Sequence, residues 1–279
     1  MANHQPPVYP DEPKIPILPN MLTAGNLLCG FFAILTIFKG MAFDDGTAEA
    51  FAHYQQATYL IFAACIFDLL DGRVARMCKA DGPFGREFDS IADVVSFGIA
   101  PAMLLARAVL FDLPIPYLGD IIAVLYLLCA ALRLARFNCM AAEPKKPNQS
   151  MDFVGLPVPM AAGAVVSTMY LVIDLTTNRN LEIPQIWQYI MAGIMTVVAL
   201  LMMSRVIYPS FKHVNFEKRG TVAAIMMAVI AVFALIEFPW IAPALIFLCY
   251  LGYGLIVRPF LNRRLRRMIE VADDEDDAV

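Results

Sequence analysis

Four aspartates at regular spacing are the residues of this chain best suited to chemistry. Asp68 and Asp71 lie three residues apart, and Asp89 and Asp93 lie four apart, where two strongly apolar segments meet. On helices, the members of each pair would project from the same face. Ionisable side chains beside hydrocarbon are costly, so a group of this kind indicates a functional site.

Carboxylates gathered in one small volume repel one another unless protons or cations balance them. Two divalent ions would balance four ionised carboxylates, and oxygen ligands favour magnesium, manganese or calcium over zinc. Two such ions can hold the attacking and leaving oxygens of a phosphoryl group in line. A single acidic residue at a helix end is usually a cap or a solvated charge, but four at this spacing predict a two-metal site.

Small residues and an arginine are interleaved with the aspartates. Gly72 and Gly85 have no side chain, so a phosphate or a sugar can approach the backbone closely. Ala75 keeps the same helix face shallow. Arg76 can donate a bidentate contact to a phosphate. The pattern therefore predicts phosphoryl chemistry on a substrate that carries phosphates.

The composition predicts a polytopic membrane protein. Of the 279 residues, 59% are hydrophobic and only 16% are charged, which lies outside the range of soluble domains. We find no run of basic and aromatic residues that would suggest a nucleic-acid partner. About 20 apolar residues cross a bilayer, and the predicted fold is an all-α bundle of about eight transmembrane helices. These spans are residues 20–38, 57–72, 90–110, 117–137, 158–175, 187–204, 221–237 and 240–257.

The spans divide the chain into three parts. Residues 1–19 form a polar N-terminal segment without the pattern of a cleaved signal peptide. Residues 20–257 form the membrane domain, and residues 258–279 form a charged cytoplasmic tail.

The distribution of basic residues predicts the orientation. With the N-terminus in the cytoplasm, only Lys39, Arg107 and Arg179 lie at the outer side, as the positive-inside rule requires. We therefore expect a protein of the cytoplasmic (inner) membrane with both termini in the cytoplasm. The four aspartates would then lie near the cytoplasmic surface, on either side of a polar hairpin from Met77 to Phe84.

The aspartate motif resembles a known family signature. The pattern DxxDGxxAR, eight residues, then GxxxDxxxD is the signature of the CDP-alcohol phosphatidyltransferases. The chain matches it at every defined position, namely Asp68, Asp71, Gly72, Ala75, Arg76, Gly85, Asp89 and Asp93. The resemblance implies transfer of a phosphatidyl group from a CDP-linked lipid to an alcohol, with release of CMP.

The resemblance also implies roles for individual residues. The four aspartates would bind two divalent ions, Mg²⁺ or Mn²⁺, and Asp93 would also act as the general base. The CDP-lipid pocket would be lined by Gly72, Ala75, Arg76 and Gly85. Asn26 is a further candidate contact: Asn20, Thr23 and Asn26 either contact the cytidine or only cap and pack the first span. Because the signature requires no serine, cysteine or histidine nucleophile, we expect direct displacement. Members of the family are commonly homodimers, and we expect the same here.

Further segments resemble the bacterial phosphatidylserine synthase branch of this family. They are residues 20–26, 93–102, 133–138 and 153–159. This resemblance favours CDP-diacylglycerol as donor, drawn from the membrane lipid, and L-serine as acceptor.

A serine acceptor carries a carboxylate that needs a cationic partner. Arg133 and Arg136, three residues apart on one helical face, are the candidates. Ser96, three residues beyond Asp93, can face the same cleft. The alternatives are that both arginines anchor the chain at the inner leaflet and that Ser96 is a helix-packing hydroxyl.

Two other functions fit parts of the pattern. The same chemistry can use another acceptor, such as glycerol 3-phosphate, an inositol phosphate or choline. A cation or proton transporter can use aspartates as a relay, although transporters place such residues near the bilayer midplane on broken helices.

Overall fold

The protein is an α-helical membrane bundle. The computed structural model describes residues 16–44, 46–78, 82–142, 153–177, 186–204, 206–208, 233 and 237–257. The helices are α1 (Ile17–Gly40), α2 (Ala48–Met77), α3 (Pro83–Asp93), α4 (Ala100–Ala108), α5 (Leu118–Ala142), α6 (Val158–Thr177), α7 (Ile186–Met203) and α8 (Ala242–Gly252).

Shorter elements connect or extend these helices. A π-helical segment, Val94–Ile99, joins α3 to α4, and a second one, Tyr253–Val257, extends α8. Leu110–Asp112 forms a 3-10 turn. Two short strands, β1 (Phe153–Val154) and β2 (Ile207–Tyr208), pair antiparallel before α6 and after α7.

Five helices are long and apolar enough to cross a membrane. They are Ile17–Gly40, Pro83–Ala108, Leu118–Met140, Val158–Thr177 and Ile186–Met203. Each contains most or all of one predicted span, so these five predictions are confirmed as helices of suitable length and composition.

The other three predicted spans differ from these five. Span 57–72 lies within α2, a helix of 30 residues, about 45 Å long at 1.5 Å per residue, whose ends are more polar. Span 240–257 corresponds to the shorter α8 and its π extension. Span 221–237 lies almost entirely outside the described residues, as do segments 1–15 and 258–279. The count of eight spans and the position of the termini therefore stay predictions.

Local sequence signals set the starts of the two helices that carry the aspartates. The Thr47 hydroxyl accepts a hydrogen bond from the Ala50 N–H at 3.3 Å and caps α2, as threonine commonly does. Pro83 stands in the first turn of α3 after Gly82, where its fixed φ and missing N–H are tolerated. Because α2 runs to Met77 and α3 starts at Pro83, the connection is shorter than the predicted hairpin.

Helix α6 lies at the centre of the bundle. About four-fifths of its apolar stretch is buried (78%), against 33% for α1. It packs against α2, α4, α7 and α8. Small residues along it allow close approach; at Gly163, a Cβ atom would overlap the ring of Phe247 on α8.

The helix that carries Asp89 and Asp93 widens to a π-helix directly after Asp93. Pro101 gives a reason, because a proline has no N–H for the carbonyl four residues earlier and its ring crowds that carbonyl. The carbonyl concerned belongs to Phe97, and it accepts a hydrogen bond from the Tyr126 hydroxyl of α5 at 3.1 Å. Ser96 donates its hydroxyl to the Asn26 carbonyl of α1 at 3.0 Å. Hydrogen bonds therefore hold the π segment against both α5 and α1.

Gly30 allows α1 to approach this π segment. A Cβ atom at Gly30 would overlap the Ser96 side chain and lie 2.7 Å from its Cα. We expect Gly30→Ala to destabilise the protein by about 1–3 kcal/mol, the usual effect of overpacking, measured as a lower Tm in detergent. Gly193→Ala is the matched control, because a Cβ at Gly193 would meet no atom within 4 Å. Equal Tm values for the two variants would contradict this account of the α1 packing.

Candidate active site

Three of the four aspartates form a tight cluster between α2 and α3. One carboxylate oxygen each from Asp68, Asp71 and Asp89 lie within 4.8 Å of one another. Asp93 lies one turn further along α3, is only 5% exposed, and is close enough to interact electrostatically with Asp68 and Asp89. The structure therefore brings all four predicted residues into one region.

The cluster fits a divalent cation. Two like charges about 4 Å apart repel by about 4 kcal/mol at an effective dielectric constant of 20. Within the described residues, no lysine or arginine forms an ion pair with these three carboxylates, and Asp89 Oδ1 is buried without a hydrogen-bond partner. A donor set made only of oxygen atoms suits Mg²⁺ or Mn²⁺. The chain therefore provides the ligands that such an ion requires.

Helix α1 supplies uncharged donors to this acidic region. The Thr23 hydroxyl donates to Asp71 Oδ2 at 2.9 Å, and the Asn26 amide nitrogen donates to Asp93 Oδ1 at 3.2 Å. Asn26 is a predicted CDP-lipid contact; the structure places its amide on a carboxylate, and its contact with the CDP-lipid stays a prediction. Thr23 is predicted only as a cytidine contact or a packing residue of α1, and its bond to Asp71 was not predicted. Its three-residue spacing from Asn26, which puts both on one face of α1, is the signal that points to it.

Four of the five predicted CDP-lipid contacts, all except the buried Asn26, are exposed or half-buried beside the cluster. A Cβ atom at Gly72 would meet nothing within 4 Å, and one at Gly85 would meet only Asn20 Oδ1, at 3.5 Å. Ala75 is half-buried. Arg76 is exposed, and its Nε donates to the Gly72 carbonyl at 2.8 Å. Its other guanidinium N–H groups are left to contact a phosphate at this surface.

The two arginines of α5 have different environments. Arg133 is 7% exposed, and its Nε has no hydrogen-bond partner among the residues that the structure describes. It is close enough to interact electrostatically with Asp93 and with Tyr250 of α8. Arg136, one turn further on, is only half-buried. The pair is therefore unequal, and Arg133 is the member placed near the aspartates.

Ser96 is fully buried between α1 and the π segment. Because its hydroxyl proton is already donated to the Asn26 carbonyl, the hydroxyl joins two helices in this structure. The predicted contact of Ser96 with the acceptor stays a prediction.

A second polar contact holds α5 against α3. The Asn138 amide nitrogen donates to the Ser90 hydroxyl at 2.9 Å and to Glu87 Oε2 at 3.3 Å. Ser90 in turn donates to the Arg86 carbonyl at 3.0 Å. Asn138 is another residue that the sequence analysis did not assign. Its bonds fix the end of α5 that carries Arg133 beside the helix that carries Asp93.

Comparison with known proteins identifies the family to which this geometry belongs. The family model described as CDP-alcohol phosphatidyltransferase matches residues 16–201, which include all four aspartates and Arg133. The chain belongs to the CDP-alcohol phosphatidyltransferase family. The predicted resemblance is confirmed, and the protein is a membrane transferase of phospholipid biosynthesis. This assignment replaces the alternative of a cation or proton transporter.

Three relatives of this phosphatidyltransferase carry the same enzyme name. A CDP-diacylglycerol–serine O-phosphatidyltransferase of Helicobacter pylori strain J99 is 30% identical over 247 residues, covering 88% of this chain and 92% of the relative. The protein of the same name from Mycobacterium leprae is 32% identical over 243 residues, 85% of this chain and 73% of its own length. That of Bacillus subtilis is 32% identical over 196 residues, 70% and 91%.

The cation-binding property of the phosphatidyltransferase cluster can be measured without substrate. We expect Asp89→Asn to weaken Mn²⁺ binding by about tenfold or more, because it removes one of three adjacent charges. Electron paramagnetic resonance of free Mn²⁺ gives the Kd. Asp120→Asn is the control, since Asp120 is an exposed partner of Arg107 about 20 Å along α5 from Arg133. Unchanged Mn²⁺ affinity in Asp89→Asn would rule out this cluster as the cation site.

Proposed function

We propose that this enzyme transfers the phosphatidyl group of CDP-diacylglycerol to L-serine, giving phosphatidylserine and CMP. The names of its relatives support this reaction. The observation that carries the choice of acceptor is Arg133, a buried guanidinium with an unpaired Nε close to Asp93.

The geometry fits the carboxylate and the hydroxyl of serine. Its carboxylate would pair with Arg133, because a buried guanidinium needs an anionic or carbonyl partner. Asp93 interacts electrostatically with Arg133, so a serine held by Arg133 through its carboxylate would have its hydroxyl on the side of the site that carries Asp93. The predicted second contact, with Arg136, would come from the half-buried outer side of the same helix.

The other acceptors fit this arrangement less well. Choline has no carboxylate, so it would leave the buried Arg133 Nε without a hydrogen-bond acceptor. Glycerol 3-phosphate and an inositol phosphate carry a phosphate dianion, which would need more cationic side chains beside Asp93. Among the described residues of α5, Arg133 and Arg136 are the basic side chains available for that role.

The proposed donor site uses the open surface at Gly72 and Gly85. The CDP phosphates would approach the backbone there, with Arg76 and the half-buried Ala75 beside them. Asp68, Asp71, Asp89 and Asp93 would hold two divalent ions, Mg²⁺ or Mn²⁺. Bound at that position, the ions supply Lewis-acid polarisation of the phosphoryl group and neutralise the charge on the leaving CMP.

The proposed chemical step is a direct displacement. Asp93 accepts the proton of the serine hydroxyl, and the serine oxygen forms a bond to the phosphatidyl phosphorus. The bond from that phosphorus to the CMP oxygen breaks, and CMP leaves with the electron pair. Cys78 and Ser90 lie within the motif, but the family signature requires neither. The Ser90 hydroxyl is bonded to Arg86 and Asn138 on the side of α3 that faces α5.

The membrane setting of the proposal follows from the basic residues. Their distribution supports a cytoplasmic-membrane protein with both termini and the active site at the cytoplasmic side. The lipid donor would enter from the inner leaflet and leave its acyl chains in the bilayer. The division into residues 1–19, 20–257 and 258–279, and the homodimer, complete the proposal.

The acceptor can be tested directly with purified protein. We expect CMP release from CDP-diacylglycerol in mixed micelles with Mn²⁺ or Mg²⁺ when L-serine is present, and its loss on adding a chelator. Glycerol 3-phosphate, an inositol phosphate and choline should give no release above the level without acceptor. Release with one of these instead would reassign the acceptor and keep the phosphatidyl transfer. No release with any alcohol would contradict the proposal as a whole.

The role of Arg133 can be separated from general stability by kinetics. A hydrogen-bonded charge is worth about 1.5–3 kcal/mol, so we expect Arg133→Ala to raise the KM for serine by about tenfold or more. The KM for CDP-diacylglycerol should change much less. Arg107→Ala is the control, because Arg107 pairs with Asp120, far along α5 from Arg133. Equal increases in both KM values would indicate a structural role for Arg133.

A further inference from the structure

Helix α1 contacts both halves of the acidic region through two neutral side chains. Thr23 and Asn26 lie on one face of α1, and their hydrogen bonds reach residues 48 and 67 positions away in the sequence. Both are buried, with exposures of 3% for Thr23 and 0% for Asn26. We infer that Thr23 and Asn26 are positioning residues: Thr23 orients the Asp71 carboxylate for the cation, and Asn26 orients the Asp93 carboxylate for proton transfer.

The Thr23 hydroxyl has two acceptors but only one proton. The Pro19 carbonyl of its own helix lies at 3.2 Å and Asp71 Oδ2 at 2.9 Å. A bond to an ionised carboxylate is shorter and stronger than one to a neutral carbonyl, so Asp71 is the preferred acceptor. This bond restricts rotation of the carboxylate of Asp71, which belongs to the three-carboxylate cluster.

Asn26 is attached to the α3 helix at two points. Its amide nitrogen donates to Asp93, and its backbone carbonyl accepts the hydroxyl proton of Ser96, three residues further on. The contacts lie on either side of the start of the π segment. Asn26 thus fixes both the carboxylate and the turn of helix that follows it.

The orientation of the Asn26 amide is unfavourable in free energy by itself. Its Oδ1 atom is buried without a hydrogen-bond partner, and leaving a buried acceptor unpaired is unfavourable. Packing of α1 alone would not select this arrangement, since an apolar side chain of similar size would avoid the unpaired atom. The contact with Asp93 supplies the reason for an amide at this position.

The two residues should act on different steps. Asp71 is one of the clustered carboxylates, whereas Asp93 is outside that trio and close to Arg133. Thr23 should therefore affect cation affinity, and Asn26 should affect turnover. The Asn26 part rests on the proposed function, in which Asp93 is the general base, whereas the Thr23 part does not depend on the acceptor.

The Thr23 part is tested by Mn²⁺ binding to the full-length protein in detergent, without substrate. We expect Thr23→Val, which keeps the shape and removes the hydroxyl, to raise the Kd for Mn²⁺ by about tenfold, as loss of an outer-shell partner commonly does. Thr23→Ser should restore the wild-type Kd. Thr36→Val is the matched control, because the Thr36 hydroxyl donates only to the Phe32 carbonyl of α1, at 2.8 Å.

Two results would overturn the role of Thr23. The first is a wild-type Kd in Thr23→Val. The second is a Kd raised equally in Thr36→Val, which would show that any lost hydroxyl on α1 has the same effect.

The Asn26 part is tested by kinetics at saturating Mn²⁺. We expect Asn26→Leu to lower kcat for CMP release by about tenfold or more, because the Asp93 carboxylate would no longer be held in the orientation needed for proton transfer. Because Asp93 is also a proposed cation ligand, the Kd of Asn26→Leu for Mn²⁺ should rise somewhat, but by less than the Kd of Thr23→Val. Tm should confirm that the variant is folded. An unchanged kcat, or a Kd raised as much as in Thr23→Val, would overturn the separation of roles.

Ser96→Ala is the second variant, in case Asn26→Leu does not fold. It removes only the hydrogen bond from the Ser96 hydroxyl to the Asn26 carbonyl. We therefore expect kcat to fall by a smaller factor and the Kd for Mn²⁺ to stay unchanged. A wild-type kcat in Ser96→Ala would overturn the two-point attachment. If serine proves not to be the acceptor, the same measurements are made with the alcohol that supports CMP release, so the two proposals fail separately.

Discussion

Repulsion between carboxylates held close together beside a membrane is the constraint on which the rest of this structure depends. Asp68, Asp71 and Asp89 place oxygens within 4.8 Å of one another, and Asp93 is buried one turn away. Such a group is stable only if cations, protons or hydrogen-bond donors surround it. The neighbouring helices α1 and α5 supply different groups to the carboxylates, and this difference separates the parts of the site.

Helix α1 stabilises the carboxylates with uncharged hydrogen-bond donors, whereas α5 contributes a positive charge. Thr23 and Asn26 donate to carboxylates of α2 and α3 without changing the net charge of the site. Arg133 brings a buried guanidinium close to Asp93. A cation site can therefore persist between α2 and α3, because the positive side chain lies beside the fourth aspartate and not among the other three.

The π segment after Asp93 links this chemistry to the packing of the bundle. Pro101 frees the Phe97 carbonyl, which Tyr126 then satisfies from α5, while Ser96 bonds to α1. Close approach at Gly30 makes the second bond possible. The position of Asp93 is thus set jointly by α1, α3 and α5. π-helical turns recur at functional sites for this kind of reason, since they redirect side chains within a continuous helix.

The sequence by itself determined the grouping of the aspartates, the family and five helices long and apolar enough to cross a membrane, because these depend on residue type and local spacing. Only the tertiary structure decided that Arg133 is buried near Asp93 while Arg136 is half-exposed, since both occupy the same face in a helical projection. It also decided that Asn26 meets Asp93 and that Asn138 meets Ser90. These contacts join residues 48 to 67 positions apart. They depend on how far each helix is rotated and how deeply it packs, which no single helix encodes.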